Sequence, residues 1–392
     1  MSSAIRTFRE VPLDGGLFPS APQMLLLKAA LEQGPLAQQA FREWSGVVDL
    51  DAEFGWEALR LMPLVYNNLA SFNTQHVLMG RLKGVYRRAW YQAHTLFRRT
   101  GTAVAALANG GVEVLLSKGA ILAQEYYRNI SLRPMSDVDI CVHRVDVARA
   151  VHVLEREGWT STSELTVDHL RFRHAMQFRH AEGGELDLHW RLLPEANDTT
   201  LNEMFWNDSE PVEFGGTRVQ QLSPTSLLLQ QVVHGMRWNS ETPIRWIPDS
   251  LVIARVRGTD VNWNRLQSMA RELRVTSRLV LGLSFLVEHF GFEVPANFLQ
   301  AISRRRPALV ERLENHVILR SDDALGTGVG AEFVRGLAEY TRVVDPVRHP
   351  IRVLYEYPHY LRLKWQLNSR FQILPFVARG VLRRLQFRLA PQ

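Results

Sequence analysis

The chain has 392 residues, 46% hydrophobic and 22% charged. Those proportions leave room for a sizeable core and exclude a disordered chain, a collagen-like repeat and a disulfide scaffold. One cysteine, Cys141, allows no intrachain disulfide, and the net charge of +6 is uneven: residues 351–392 hold eight basic residues and one acid, so the remaining body is close to neutral.

Residues 20–105 read as helical, with apolar residues at helical spacing in PQMLLLKAALEQG and again from Val77 to Leu107. Gly110-Gly111 breaks that pattern. VEVLL (Val112 to Leu116) reads as a short strand, and Gly119 to Tyr127 as a short helix. DVDICV (Asp137 to Val142) alternates like a half-buried strand. Val147, Ala150, Val151 and Leu154 define one helical face, ended by Gly158. Phe172 to His180 and Glu185 to Trp190 read as strands joined by the Glu182-Gly183-Gly184 turn. After Pro194 only helices are expected, at 224–236, 244–256, 261–274, 276–290, 295–304 and 308–319; Ser223-Pro224 is a clear start signal.

Asp137-Val138-Asp139 carries the chemistry. On a strand the side-chain period is two, so both carboxylates share one face. Two carboxylates held that close repel unless a cation intervenes, and Mg²⁺ suits carboxylate and phosphate oxygens. Asp187, between Leu186 and Leu188, projects from the next strand and joins them if the strands are neighbours. Three such carboxylates hold two metal ions for phosphoryl or nucleotidyl transfer. Upstream, Ser117-Lys118-Gly119 joins strand to helix. There Gly119 allows close backbone approach to a phosphate, and Ser117 and Lys118 offer a hydroxyl and a cation.

This order of motifs, a strand–Ser-Lys-Gly–helix, then Arg133-Pro134-Met135-Ser136-Asp137-Val138-Asp139, then Asp187-Leu188-His189-Trp190, resembles the polymerase-β-like nucleotidyltransferase superfamily. It is most similar to the bacterial branch of nucleotidyltransferase family proteins, from about Val112 to Leu193 and more loosely to Pro295. The resemblance implies an α+β fold, with a small mixed-sheet nucleotidyltransferase core at 111–195. Around it lie an N-terminal helical region at 1–110, a C-terminal helical domain at 196–340 and a basic helical tail at 341–392. It implies transfer of an NMP from an NTP to an acceptor, with two Mg ions on Asp137, Asp139 and Asp187. Ser117, Lys118, Gly119, Arg133 and Ser136 fall on the triphosphate side. His189, His234, Arg245, Trp246 and Asp249 are acceptor-side candidates: Arg245 and Asp249 are spaced to pair at i, i+4, Asp249 is alternatively a base, and Trp246 is suited to stacking on a ring.

Other readings compete. His169, His174, His180 and His189 suggest zinc, but no H-E-x-x-H pattern is present and the carboxylate-rich set suits Mg²⁺ better. A non-catalytic nucleotide- or ligand-binding regulatory or scaffold protein of the same fold is the alternative function. The near-neutral body argues against nucleic acid as partner, leaving a small-molecule or protein acceptor. Residues 376–389 have an apolar stripe flanked by arginines, suited either to weak membrane-surface contact or to docking on the body. The absence of a signal-like N-terminus and of an apolar run of about 18 residues makes the cytoplasm the expected location.

Overall fold

The computed structural model describes residues 17–48, 55–196, 199–237, 242–304, 306–319, 329–344 and 350–379. Four helices come first among the described residues: α1 (Ala21–Leu31), α2 (Gly34–Val47), α3 (Trp56–Ser71) and α4 (Met79–Asn109). Ser20 starts α1 with a capping box to Gln23, and a proline in the first turn needs no hydrogen-bond partner. Alternating strands and helices follow: β1 (Leu115–Leu116), α5 (Lys118–Ile121), β2 (Asp137–Cys141), α6 (Val147–Arg156), β3 (Trp159–Ser161), α7 (Val167–Phe172), β4 (Ala175–His180) and β5 (Glu185–His189). A π-helical turn, Leu122–Tyr126, extends α5.

The expectation of helices alone after Pro194 is corrected here. Helix α8 (Thr199–Trp206) leads into a hairpin, β6 (Ser209–Phe214) and β7 (Thr217–Leu222). The hairpin turns on Gly215-Gly216, both at positive φ, the geometry a two-residue turn needs. Gly215 also lies against Gly101 of α4, where an added Cβ would come within 2.7 Å of the Gly101 Cα. Helices α9 (Pro224–Gly235), α10 (Trp246–Arg257), α11 (Trp263–Glu272), α12 (Thr276–Phe290), α13 (Phe298–Ser303) and α14 (Leu309–Leu319) then match the expected spans closely. Helices α15 (Val329–Val343) and α16 (Pro350–Lys364) follow, and the described residues continue through a short 3-10 turn at Arg370–Gln372 to residue 379.

The seven strands among the described residues form one mixed sheet in the order β3-β4-β5-β2-β1-β7-β6. The sheet therefore continues past residue 195, the expected end of the core. β2 and β5 are parallel neighbours, with Asp139 beside Asp187 and Val138 beside Leu186. One apolar cluster runs from Leu17 through the sheet to Ile302, so both helical blocks share a core with it. A smaller cluster around Tyr340, Tyr357 and Tyr360 packs α15 and α16 against Phe172 of α7. Arg171 to Glu356 at 2.5 Å and His359 to Asp168 at 2.8 Å fasten that contact. Among the described residues no helix is long and apolar enough to cross a membrane. The apolar stripe expected at 376–389 lies almost wholly outside the described residues.

A buried ionic knot ties the loop after β5 to the C-terminal helices. Glu195 accepts from Arg278 Nη2 at 2.6 Å and Arg237 Nη2 at 2.8 Å. Burial alone would raise the Glu195 carboxyl; Arg237, Arg278 and Arg342 reverse this and hold it well below the usual carboxylate range. An unfolded glutamate protonates near pH 4.5, while Glu195 in the fold does not. Stability therefore falls as pH drops below that value, by about 1.4 kcal/mol per pH unit for this one proton, down to the folded pKa. Glu195→Gln is expected to lack that part of the acid slope, read from urea unfolding between pH 5 and pH 3.

Candidate active site

The period of two does what the sequence suggested. Val138, Ile140, Leu186 and Leu188 are fully buried in the core. Asp137, Asp139 and Asp187 emerge on the opposite face and line a cleft of about 490 Å³. The cleft is roofed by α3, α9 and the start of α10, through Arg60, Gln231, His234 and Arg245.

Asp139 is the most constrained of the three. Lys118 Nζ donates to its Oδ1 at 2.9 Å, and His189 Nε2 donates to the same atom at 2.8 Å. Burial would raise its pKa, but Lys118 and His189 outweigh it and keep Asp139 well below the usual range. Asp187 has the opposite environment. Its Oδ1 is buried with no hydrogen-bond partner. Burial first, then the charges of Asp139 and Asp137, push its pKa up to about 6. Asp137 accepts from Ser136 Oγ at 3.3 Å. Asp139, Asp187 and His189 offer ligand atoms within 4.8 Å of one another. A buried carboxylate oxygen without a donor, in a crowd of like charges, is what a divalent cation would relieve, so these residues fit one. Asp137 stands at the edge of that cluster and not within it.

The strand-to-helix turn departs from expectation in its details. Lys118 sits at φ +39°, a left-handed conformation that is costly for a non-glycine residue and is held here by its bond to Asp139. Gly119 is bare for the sake of Arg133: an added Cβ would lie 2.8 Å from Arg133 Nη1. Ser117 is fully buried and takes no part in the cleft wall. Ser136 is exposed and lines a neighbouring groove. Gly119→Ala is expected to push against Arg133 and strain its buried pair with Asp249, at a cost of about 1–3 kcal/mol in a urea melt.

Arg133 is held by Asp249. Its Nε donates to Oδ1 at 3.0 Å and its Nη2 to Oδ2 at 2.8 Å, with both side chains buried. Tyr127 Oη donates to the same carboxylate at 3.0 Å. This corrects two expectations. Asp249 does not pair with Arg245, and it is fully engaged and not poised as a base. Arg245 instead donates from Nη1 to the Pro134 carbonyl at 2.5 Å. Burial, then Arg133 and Arg60, bring its pKa down to about 10. Trp246 is also corrected: its indole is 4% exposed and fills the space left by Gly235, where a Cβ would come within 2.1 Å. It touches the cleft but packs as core. His234 does line the cleft, and burial and Lys118 hold its pKa well below the histidine range, so it is neutral at pH 7.

Four further residues belong to the cleft wall: Glu57 and Arg60 of α3, His174 before β4, and Gln231 of α9. Glu57 and Arg60 pair with each other at 3.2 Å, three positions apart, but nothing local shows that this pair faces the cleft.

The model of the family described as uncharacterised nucleotidyltransferase matches residues 56–291. No curated protein matches the chain. A solved structure, that of an antigenic nucleotidyltransferase-like protein from Paracoccidioides brasiliensis, is 18% identical, with a TM-score of 0.33 over 53% of this chain and 97% of the other. The family match spans more than half of the chain and includes the three aspartates, the Lys118-Gly119 turn and the helices that roof the cleft, so the chain belongs to this nucleotidyltransferase family.

Proposed function

We propose that the chain moves a nucleoside monophosphate from an NTP to an acceptor hydroxyl. The acceptor oxygen bonds to the α-phosphorus, the bond to the β-phosphate oxygen breaks, and pyrophosphate leaves. The observation that carries this reading is the crowding of Asp137, Asp139 and Asp187 on one sheet face, with one Asp187 oxygen buried and unpartnered. Those three carboxylates would hold divalent cations, magnesium by their oxygen chemistry, which would neutralise the triphosphate and acidify the acceptor hydroxyl.

The chain's own residues supply the rest. Lys118 balances Asp139 at 2.9 Å and is the nearest ammonium to the site of the phosphates. Arg60 and Arg245 add guanidinium groups to the same wall. Asp187, its carboxyl raised to about 6 by burial and by Asp139 and Asp137, is the acceptor for the hydroxyl proton, through the oxygen a cation would leave free. His189 orients Asp139 by donating to its Oδ1 at 2.8 Å.

The test is incubation of the protein with each α-labelled NTP, Mg²⁺ and fractionated lysate, followed by mass analysis of whatever gains a nucleotide. A labelled product that disappears on chelation supports the proposal. NTP binding with no transfer in any fraction would favour a ligand-binding protein of the same fold.

A further inference from the structure

His174 lines the cleft and also a second cavity of about 300 Å³, a volume at the small end of ligand pockets. That cavity lies where the loop after β5 meets α12 and the C-terminal helices. Four arginines and three glutamates contribute to its wall. The glutamates are all spoken for. Glu195 holds Arg237 and Arg278, and Glu314 accepts from Arg342 at 2.7 Å and 2.6 Å. Glu339 accepts from Tyr360 Oη at 2.7 Å and Lys364 Nζ at 2.6 Å.

Arg191 is left over. It is 5% exposed, and among the described residues no carboxylate forms an ion pair with it. Its Nη2 donates to the backbone carbonyls of Arg171 and Arg173, which fixes the guanidinium plane. Its Nε is buried and has no partner. A buried guanidinium without a counter-charge is costly, and a ligand oxyanion removes that cost. The two carbonyl bonds pre-order the fork for such a group, which suits bidentate recognition.

We propose that this cavity is the acceptor subsite, with Arg191 binding a carboxylate or phosphate group of the acceptor while its hydroxyl reaches past His174 to Asp187. This rests on the nucleotidyl-transfer reading above. Asp187 and Arg191 are four positions apart, so their Cα atoms are at most about 14 Å apart. That span and the cavity volume fit a small anionic molecule of sugar-phosphate or peptide-acid size. His174, held neutral by burial and by the nearby His189, Arg237 and Arg191, brings no charge to the passage between the two spaces.

The probes are inorganic phosphate and malonate, titrated calorimetrically into the full chain in chelator. Mg·ATP binding is measured separately. Four proteins are compared: wild type, Arg191→Met, Val343→Trp and Lys118→Ala. Val343 lines the cavity from α15, so a tryptophan there fills it while the bonds of Arg191 stay intact. The expected result is that wild type and Lys118→Ala bind one of the two anions, and that Arg191→Met and Val343→Trp bind it at least tenfold more weakly. The anion that binds more tightly identifies phosphate or carboxylate as the group. Mg·ATP binding should survive in Arg191→Met and Val343→Trp. Absence of anion binding in wild type, or unchanged binding in Val343→Trp, overturns the subsite while leaving the nucleotidyl-transfer reading standing. Anion binding that follows the proposal together with no Mg·ATP binding in wild type overturns the acceptor role and the reading beneath it.

Discussion

Asp187→Asn is expected to stabilise the protein and abolish its transfer activity. The carboxylate is raised from 3.8 to about 6 by burial and by Asp139 and Asp137, so keeping it ionised at pH 7.5 costs free energy. In full burial a shift of that size is worth about 3 kcal/mol; with Asp187 partly open to the cleft, about 1–2 kcal/mol is the expected gain on removing the charge. Asparagine is nearly isosteric, and its amide adds a donor where three carboxylates crowd. The same change removes a metal-holding oxygen and the proton acceptor, and a loss of several kcal/mol in transition-state stabilisation is about a thousandfold in rate. Urea unfolding in chelator and α-labelled NTP turnover measure the two halves. A variant that is less stable, or that keeps turnover within tenfold of wild type, would refute the role given to Asp187. Opposite signs for stability and activity are expected where a site is built for chemistry at the expense of the fold.

The second large effect concerns stability alone. Asp249→Ala leaves the Arg133 guanidinium buried without its carboxylate and strips Tyr127 of its acceptor. Removing one partner of a buried pair costs about 3–5 kcal/mol, most of it the penalty for the stranded charge. The double variant Arg133→Met/Asp249→Leu removes both charges and is expected to recover most of that loss in a urea melt. If Asp249 were a base, the double variant would fold and remain inactive with a normal nucleotide affinity. The geometry instead predicts that activity per folded molecule returns with stability, less whatever Arg133 Nη1 contributes beside Gly119.

The parts of this arrangement that were legible in the sequence depend on short-range periodicity. Asp137 and Asp139 share a face because strands repeat every two residues, and Asp187 was readable from the leucines on either side of it. Ser223 announced its helix through a cap that acts over three residues. What could not be read depends on distance. Asp249 had Arg245 four positions away as a local candidate, yet its partner is Arg133, 116 positions back. Arg60 looks like any polar position on a helix until α3 is laid across the cleft. The β6–β7 hairpin is a different case: Gly215-Gly216 between two alternating runs was a usable turn signal, masked by Pro211 and the polar Gln220-Gln221 pair. Trp246 misled because an aromatic beside a candidate site suggests stacking, whereas Gly235 on the preceding helix had made room to bury it.

The apolar cluster that runs unbroken from Leu17 to Ile302 has a bearing on how such a protein can be dissected and inherited. A fragment cut at residues 111 and 195 would carry all three aspartates but leave behind two strands of their own sheet and the helices that keep its faces dry. Excised that way, the catalytic segment would be a sticky half-shell prone to clumping. Gene fusion and recombination would therefore be expected to carry this whole stretch as one indivisible module, with variation tolerated at its outer ends.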